Sequence, residues 1–246
     1  MTTFTRRGFL AASAAASAAL VLPARARAAA GALSLTATTR TIDVRGRAAK
    51  VMGLVNAEGG FGLVLDPDQR FRVDLTNALD IETIVHWHGQ IPPNAQDGVP
   101  NTNTLLMPGE TRPYDFATRP GTFWMHSHIP EQEMGLLAAP LIVRSKADLA
   151  ADRQEVLLFL HDFSFRAPEE VLAEVTGGTV MHHGAAPAED MKAMPGMGDM
   201  SGMAGMTDMA MDLNDFDFDA YLANDRTLDD PEVVRVERGG RVLLRA

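Results

Sequence analysis

Between Leu33 and Leu160, hydrophobic and polar residues alternate in short runs, broken about every ten positions by Gly, Pro, Asn and Asp. A period of two turns one face of a strand toward a core and the other toward solvent. The predicted strands are Leu33–Thr38, Thr41–Val44, Ala49–Val55, Phe71–Leu75, Ile81–His88, Thr111–Phe116, Thr122–His128, Leu136–Val143 and Glu155–Leu160. Gly59-Gly60, Asp66-Pro67-Asp68 and Arg119-Pro120-Gly121 read as turns, and residues 91–109 as a loop rich in Pro, Asn and Gly. Pro140 is tolerated near a sheet edge. Many short strands with regular turn signals predict an all-β sandwich or barrel. Helical pattern is scarce; a short helix is expected from Pro168 to Ala173, with Pro in its first turn.

The pattern changes after Phe165. Residues 176–214 are rich in Gly, Met and Ala and predict a disordered linker. Within it Met191, Met194, Met197, Met200, Met203, Met206 and Met209 recur at every third position, and Met211 follows. The intervening glycines and Pro195 weaken any helix, so this is no helical stripe. Thioether is a soft ligand for Cu(I), which makes these methionines an accessory Cu(I) site in outline; the plainer reading is a low-complexity linker. Strand signals return at Tyr221–Ala223, Val233–Val236 and Arg241–Leu244, with Gly239-Gly240 as a turn.

At the other end, Thr5-Arg6-Arg7-Gly8-Phe9-Leu10 reads as a twin-arginine export signal, followed by an apolar run from Ala11 to Leu22 and small-residue cleavage options near Ala24–Ala28. That run is too short for a permanent span. The expected division is a signal peptide at 1–28, a first domain at 29–165, a linker at 166–214 and the start of a second domain at 215–246. The signal implies a periplasmic or otherwise exported protein, carried by the twin-arginine route. The formal charge is −10, and removal of residues 1–28 leaves 18 basic against 32 acidic residues. An acidic balance argues against nucleic acid as a partner. The chain has no cysteine, which excludes disulfides and thiolate ligands or nucleophiles.

The residues that carry chemistry are His86-Trp87-His88-Gly89 and His126-Ser127-His128. Histidines at i and i+2 of a strand project to the same side, and the residue between them to the other. Two such strands side by side present four imidazoles, which rarely crowd together without an ion. Imidazole suits copper, zinc, iron and nickel, so spacing alone does not choose the metal. His161 reads as a structural histidine, hydrogen-bonded near a strand end. His182 and His183 lie in the linker, where weak copper binding alongside the methionines competes with no role.

HWHG at 86–89 and GTFWMHSH at 121–128, followed by Gly135-Leu136 and Ala139–Val143, resemble the amino-terminal cupredoxin (plastocyanin-like) domain of a multicopper oxidase. Asp97-Gly98-Val99-Pro100 and Pro108-Gly109-Glu110 match its loop. The resemblance covers about residues 33–165, and the Met-rich insert is similar to that of copper-tolerance members. It implies a Greek-key cupredoxin sandwich, followed by the first strands of an incomplete second cupredoxin domain. It also implies copper as cofactor, with His86 on a type 2 copper and His88, His126 and His128 on a type 3 pair. The family draws four more histidines and a cysteine-held type 1 copper from elsewhere. The expected function is therefore the copper-binding amino-terminal portion of an oxygen-reducing oxidase of Cu(I) or phenolic donors. It would be a truncated or split product, or one piece whose remaining domains lie on a separate partner chain. The alternatives are an exported copper-sequestering protein without turnover and a structural cupredoxin scaffold. Zinc remains open for the isolated half-site.

Overall fold

The protein is described by a computed structural model covering residues 31–175 and 216–246. The proposed signal peptide, the methionine repeat, His182 and His183 lie outside the described residues.

The first half is a set of antiparallel and parallel pairings that the alternation anticipates. β1 (Leu33–Val44) and β2 (Arg47–Asn56) form one long hairpin, where three shorter strands were expected. The Arg45-Gly46 pair reverses the chain with both residues at positive φ. β4 (Phe71–Asn77) joins β1 in parallel, and β6 (Thr111–Phe116) joins β4 antiparallel, giving the order β2-β1-β4-β6. β4 buries Phe71, Val73 and Leu75 while Arg72, Asp74 and Thr76 lie at its wetter face.

The second sheet runs β3-β8-β7-β5, built from β3 (Leu63–Leu65), β8 (Ala138–Val143), β7 (Gly121–Ser127) and β5 (Val85–His88). β8 is buried at every position, as an interior strand covered on both faces should be. Pro140 lies in this interior strand, but its carbonyl faces Gly62, just short of the point where β3 begins to pair. A Cβ on Gly62 would stand 2.3 Å from that oxygen, and Gly62 has a φ of +80°, so only glycine suits the approach.

The two sheets close on one core. Phe71 lies between Trp87 and Phe116, with ring centroids 4.6 Å from each, and Tyr114 meets Trp87 edge-on at 4.8 Å. Trp87 is fully buried, and its Nε1 donates to the Gln96 carbonyl at 3.0 Å. Face-to-face sheets around an apolar interior make the predicted all-β sandwich.

Three short α-helices lie between strands among the described residues: α1 (Pro130–Met134), α2 (Lys146–Ala150) and α3 (Pro168–Val175). The last is the helix expected after Pro168. The predicted strand Glu155–Leu160 divides into β9 (Gln154–Leu157) and β10 (Leu160–Phe163). The division is a change of partner. β9 pairs with β13 (Val242–Arg245), whereas β10 pairs with β11 (Ala220–Ala223), which continues to β12 (Arg226–Thr227). At the break Asn224 accepts from Phe159 N at 2.8 Å and donates to the Leu157 carbonyl at 2.8 Å, supplying the bonds the ladders leave open. Val233–Val236, expected as a strand, pairs with no strand among the described residues and stays exposed.

Candidate metal centre

The four histidines of the two motifs come together on the β5–β7 ribbon. The register sets His86 directly opposite His126, Val85 opposite Ser127 and His88 opposite Trp124. Only one histidine of each motif therefore faces its counterpart. His88 and His128 extend diagonally from that pair in opposite directions. The His86 ring lies 5.7 Å from His88, 5.7 Å from His126 and 5.6 Å from His128, and the His126 ring lies 5.6 Å from His88 and 5.7 Å from His128. Trp87 and Ser127 point to the opposite side and are fully buried, as the alternation requires.

Each inner imidazole is held by its back nitrogen. His86 Nδ1 donates to the Asp97 carbonyl at 2.8 Å, with Asp97 Oδ1 at 3.6 Å. His126 Nδ1 donates to the Ser127 carbonyl at 2.9 Å, with Glu133 Oε2 at 3.3 Å. A carbonyl can only accept, so Nδ1 carries the proton in both rings and Nε2 is left with its lone pair. Trp124 stacks on the His126 ring at 4.0 Å with an 11° tilt, fixing its plane. The Asp97 loop reaches β5 because Gly98 has no side chain: a Cβ there would stand 1.8 Å from the Val85 carbonyl, and its φ is +75°.

Partial desolvation and the neighbouring rings disfavour the charged form of the outer rings. His88 and His128 are both held below the ordinary histidine range, first by burial and then by the neighbouring His126 and His86 rings, with Glu133 opposing. A neutral imidazole is the form that ligates metal.

The multicopper oxidase family profile matches residues 36–148, which contain both histidine pairs, the Asp97 loop and α1. Residues 36–148, a little under half of the chain, are thus similar to a multicopper oxidase domain. Copper resistance protein A of Escherichia coli is 36% identical over 104 residues, covering 40% of this chain and 17% of that protein. Laccase-1 of Emericella nidulans is 38% identical over 109 residues, covering 42% of this chain and 18% of that protein. The chain thus spans less than a fifth of the length of these two relatives. The solved multi-copper oxidase from Pseudomonas Thermotolerans superposes with a TM-score of 0.48 at 29% identity, over 56% of this chain and 37% of that one.

Copper is the cofactor of this family, and the donors of the multicopper oxidase domain fit it. His126 Nε2 is buried and has no hydrogen-bond partner. A buried polar atom without a partner is costly, and a metal is one way to repay it. Among the described residues, no three His, Asp or Glu side chains converge on a single ion. A mononuclear ion would need its nitrogens at about 2.0–2.1 Å. Ring centroids spaced at 5.6–5.7 Å do not distinguish one ion from several.

His161, read from sequence as a hydrogen-bonded structural histidine, lies elsewhere, on β10. Its Nε2 is buried without a partner, so the expected hydrogen bond at that atom is absent. Phe159 packs edge-on against it at 4.6 Å, and among the described residues no other imidazole stands beside it. Two site residues escaped sequence reasoning. Gln132 and Glu133 lie in α1 just after the second histidine motif, and their only signal was a Pro-initiated helical turn bearing polar residues.

Proposed function

We propose that His86, His88, His126 and His128 hold copper, and that this chain supplies one half of a polynuclear copper centre of an oxygen-reducing oxidase. The observation that carries the reading is the His126 Nε2 lone pair, buried and unpartnered at the focus of three other imidazoles. We assign His86 to the type 2 position and His88, His126 and His128 to the type 3 pair. When bound, copper supplies the one-electron steps that carry electrons to oxygen.

The chain's own residues prepare that site. The Asp97 and Ser127 carbonyls keep the His86 and His126 protons on Nδ1 and aim both Nε2 atoms forward. Hydrogen bonds behind ligating histidines raise their basicity and fix their orientation. Glu133 places a negative charge beside His126, which favours a cation in front of the ring. Trp124 covers one face of His126 and excludes water from it.

These 246 residues contain no cysteine, so they form no thiolate copper site. Turnover with Cu(I) or phenolic donors then needs residues beyond them, on a separate chain or a further domain. We place 1–28 as a twin-arginine signal, 29–165 as the first cupredoxin domain, 166–214 as a linker and 215–246 as the start of a second. Delivery to the periplasm is read from that signal, and a role in copper tolerance from the likeness to copper resistance protein A. Among the described residues no helix is long and apolar enough to cross a membrane.

The test is titration of the purified chain with Cu(II), and with Cu(I) without oxygen, beside a variant with all four histidines changed to alanine. Binding lost in the variant, with no oxidase turnover in either protein, is the expected result. Turnover by the chain alone would overturn the division of labour. Equal binding by both proteins would overturn the site and favour the methionine segment as a sequestering device.

A further inference from the structure

We propose that Gln132 is the positioning residue that sets the spacing of the two histidine pairs, acting through Thr83 and Ser127. The proposal rests on the copper reading above for its purpose, though not for its geometry. The Gln132 side chain is almost completely buried and stands on the side of the ribbon away from the imidazoles. Its Oε1 accepts from Thr83 Oγ1 at 2.6 Å and from Ser127 Oγ at 2.9 Å. Its Nε2 donates to the Glu82 carbonyl at 2.7 Å. Thr83 leads into β5 three positions before His86, and Ser127 separates His126 from His128. A single amide oxygen thus holds one hydroxyl from each histidine strand, and its two acceptor sites are both filled.

The need for such a clamp follows from the ribbon itself. The β5–β7 ladder is only four pairs long, from Val85–Ser127 to His88–Trp124. A short ladder secures register weakly, and a slip of one residue would turn His86 and His88 to the core and Trp87 to the metal side. Thr83, Ser127 and Gln132 are 0%, 0% and 3% exposed, where apolar residues would be the cheaper filling. A buried polar network fixes one arrangement, because any shift strands its donors and acceptors. Main-chain bonds complete the frame. Ile129 N donates to Ser127 Oγ at 3.1 Å, Leu137 N to the Gln132 carbonyl at 2.9 Å and Ser127 N to the Leu137 carbonyl at 2.9 Å. The same turn of α1 that sends Gln132 inward puts Glu133 against the His126 ring. One helical turn therefore sets both the distance between the strands and the pose of the most buried ligand.

The test replaces the whole network at once in the full chain, as Thr83→Val/Ser127→Ala/Gln132→Leu. Exchanging all three side chains for apolar groups of similar shape strands no buried side-chain hydroxyl or amide, and the two backbone groups that lose a partner, Ile129 N and the Glu82 carbonyl, belong to half-buried and exposed residues, so the fold should hold. Two readouts are taken: the Nδ1–H resonances of His86 and His126 in the metal-free protein, and copper affinity. The expected result is unchanged thermal stability, broadened or lost Nδ1–H resonances and copper binding weakened about tenfold or more, the usual scale for support behind ligands. A folded triple variant with the natural ring resonances and the natural copper affinity would overturn the proposal. If the natural chain binds no copper at its histidines, the metal reading fails while the ring resonances still decide the positioning role. If the triple variant does not fold, Thr83→Val alone decides: a broadened His86 resonance with His126 less affected supports the clamp, and an unchanged His86 resonance overturns it.

Discussion

Two histidines among the described residues keep a buried ring nitrogen without a partner, and their surroundings could hardly differ more. His126 faces three imidazoles and backs onto a carbonyl and a carboxylate. His161 faces Phe159 and the Arg40–Asp225 ion pair. The orphan nitrogen is the same in both. What differs is whether the neighbourhood offers further donors for a cation or only one charge of each sign. A buried lone pair alone is thus not the mark of a metal site. Its meaning is read from the second and third imidazoles.

That contrast can be broken most sharply by exchanging the two rings for alanine in turn. His126→Ala should weaken copper binding by about a hundredfold or more, since a first ligand and the focus of the cluster are both lost. His161→Ala should leave copper binding at its natural value. Equal losses in a parallel copper titration would erase the distinction.

The next effect concerns acid. Burial holds His161 down to about 4, from an ordinary value of 6.5, with Arg40 pushing the same way and Asp225 opposing. The folded chain therefore binds fewer protons than the unfolded chain between those values, so stability falls as pH drops below about 6.5 and the loss from this group is complete near 4. The full shift corresponds to at most about 3 kcal/mol. Denaturant unfolding from pH 7 to 4 should show that slope, and His161→Leu should flatten it. Asp148, held at about 2 by hydrogen bonds from Ser145 and by Arg245, contributes in the same direction at lower pH. Its stabilisation is intact above the ordinary carboxylate value of 3.8 and is lost as pH falls toward 2. Two acid limbs are expected, and His161→Leu should alter only the upper one.

A smaller effect is expected at Glu133. Its carboxylate is partly exposed and stands 3.3 Å from His126 Nδ1, which also has the Ser127 carbonyl. Glu133→Gln keeps an acceptor and removes the charge, so copper affinity should fall by up to about tenfold, with no change in melting temperature. The smallest is a matter of pH. Because His88 and His128 are held below the ordinary histidine range, proton competition for copper should begin below the pH expected of free imidazole. Copper affinity measured from pH 7.5 downward checks this.

Much of this was written in the chain. The alternation in Phe71–Leu75 is the alternation seen in β4, and the two HxH motifs do bring four imidazoles to one face. The diagonal placement was not legible, because register depends on which residue of one strand meets which of the other, and the motifs are silent on that. Gln132 was hidden for a related reason. Its role lies in touching Thr83 and Ser127, far apart in sequence, and a glutamine in a polar turn carries no mark of burial. The division of Glu155–Leu160 was invisible because its six residues are uniformly strand-like; what splits them is a change of partner strand, arranged by Asn224.

The most direct test of the central claim is the copper content of the purified full chain, by elemental analysis with EPR, beside His86→Ala/His126→Ala. The account predicts at least one copper per chain with nitrogen ligation in the natural protein, lost in the double variant. Copper that is absent from the natural protein, or unchanged in the variant, would contradict it.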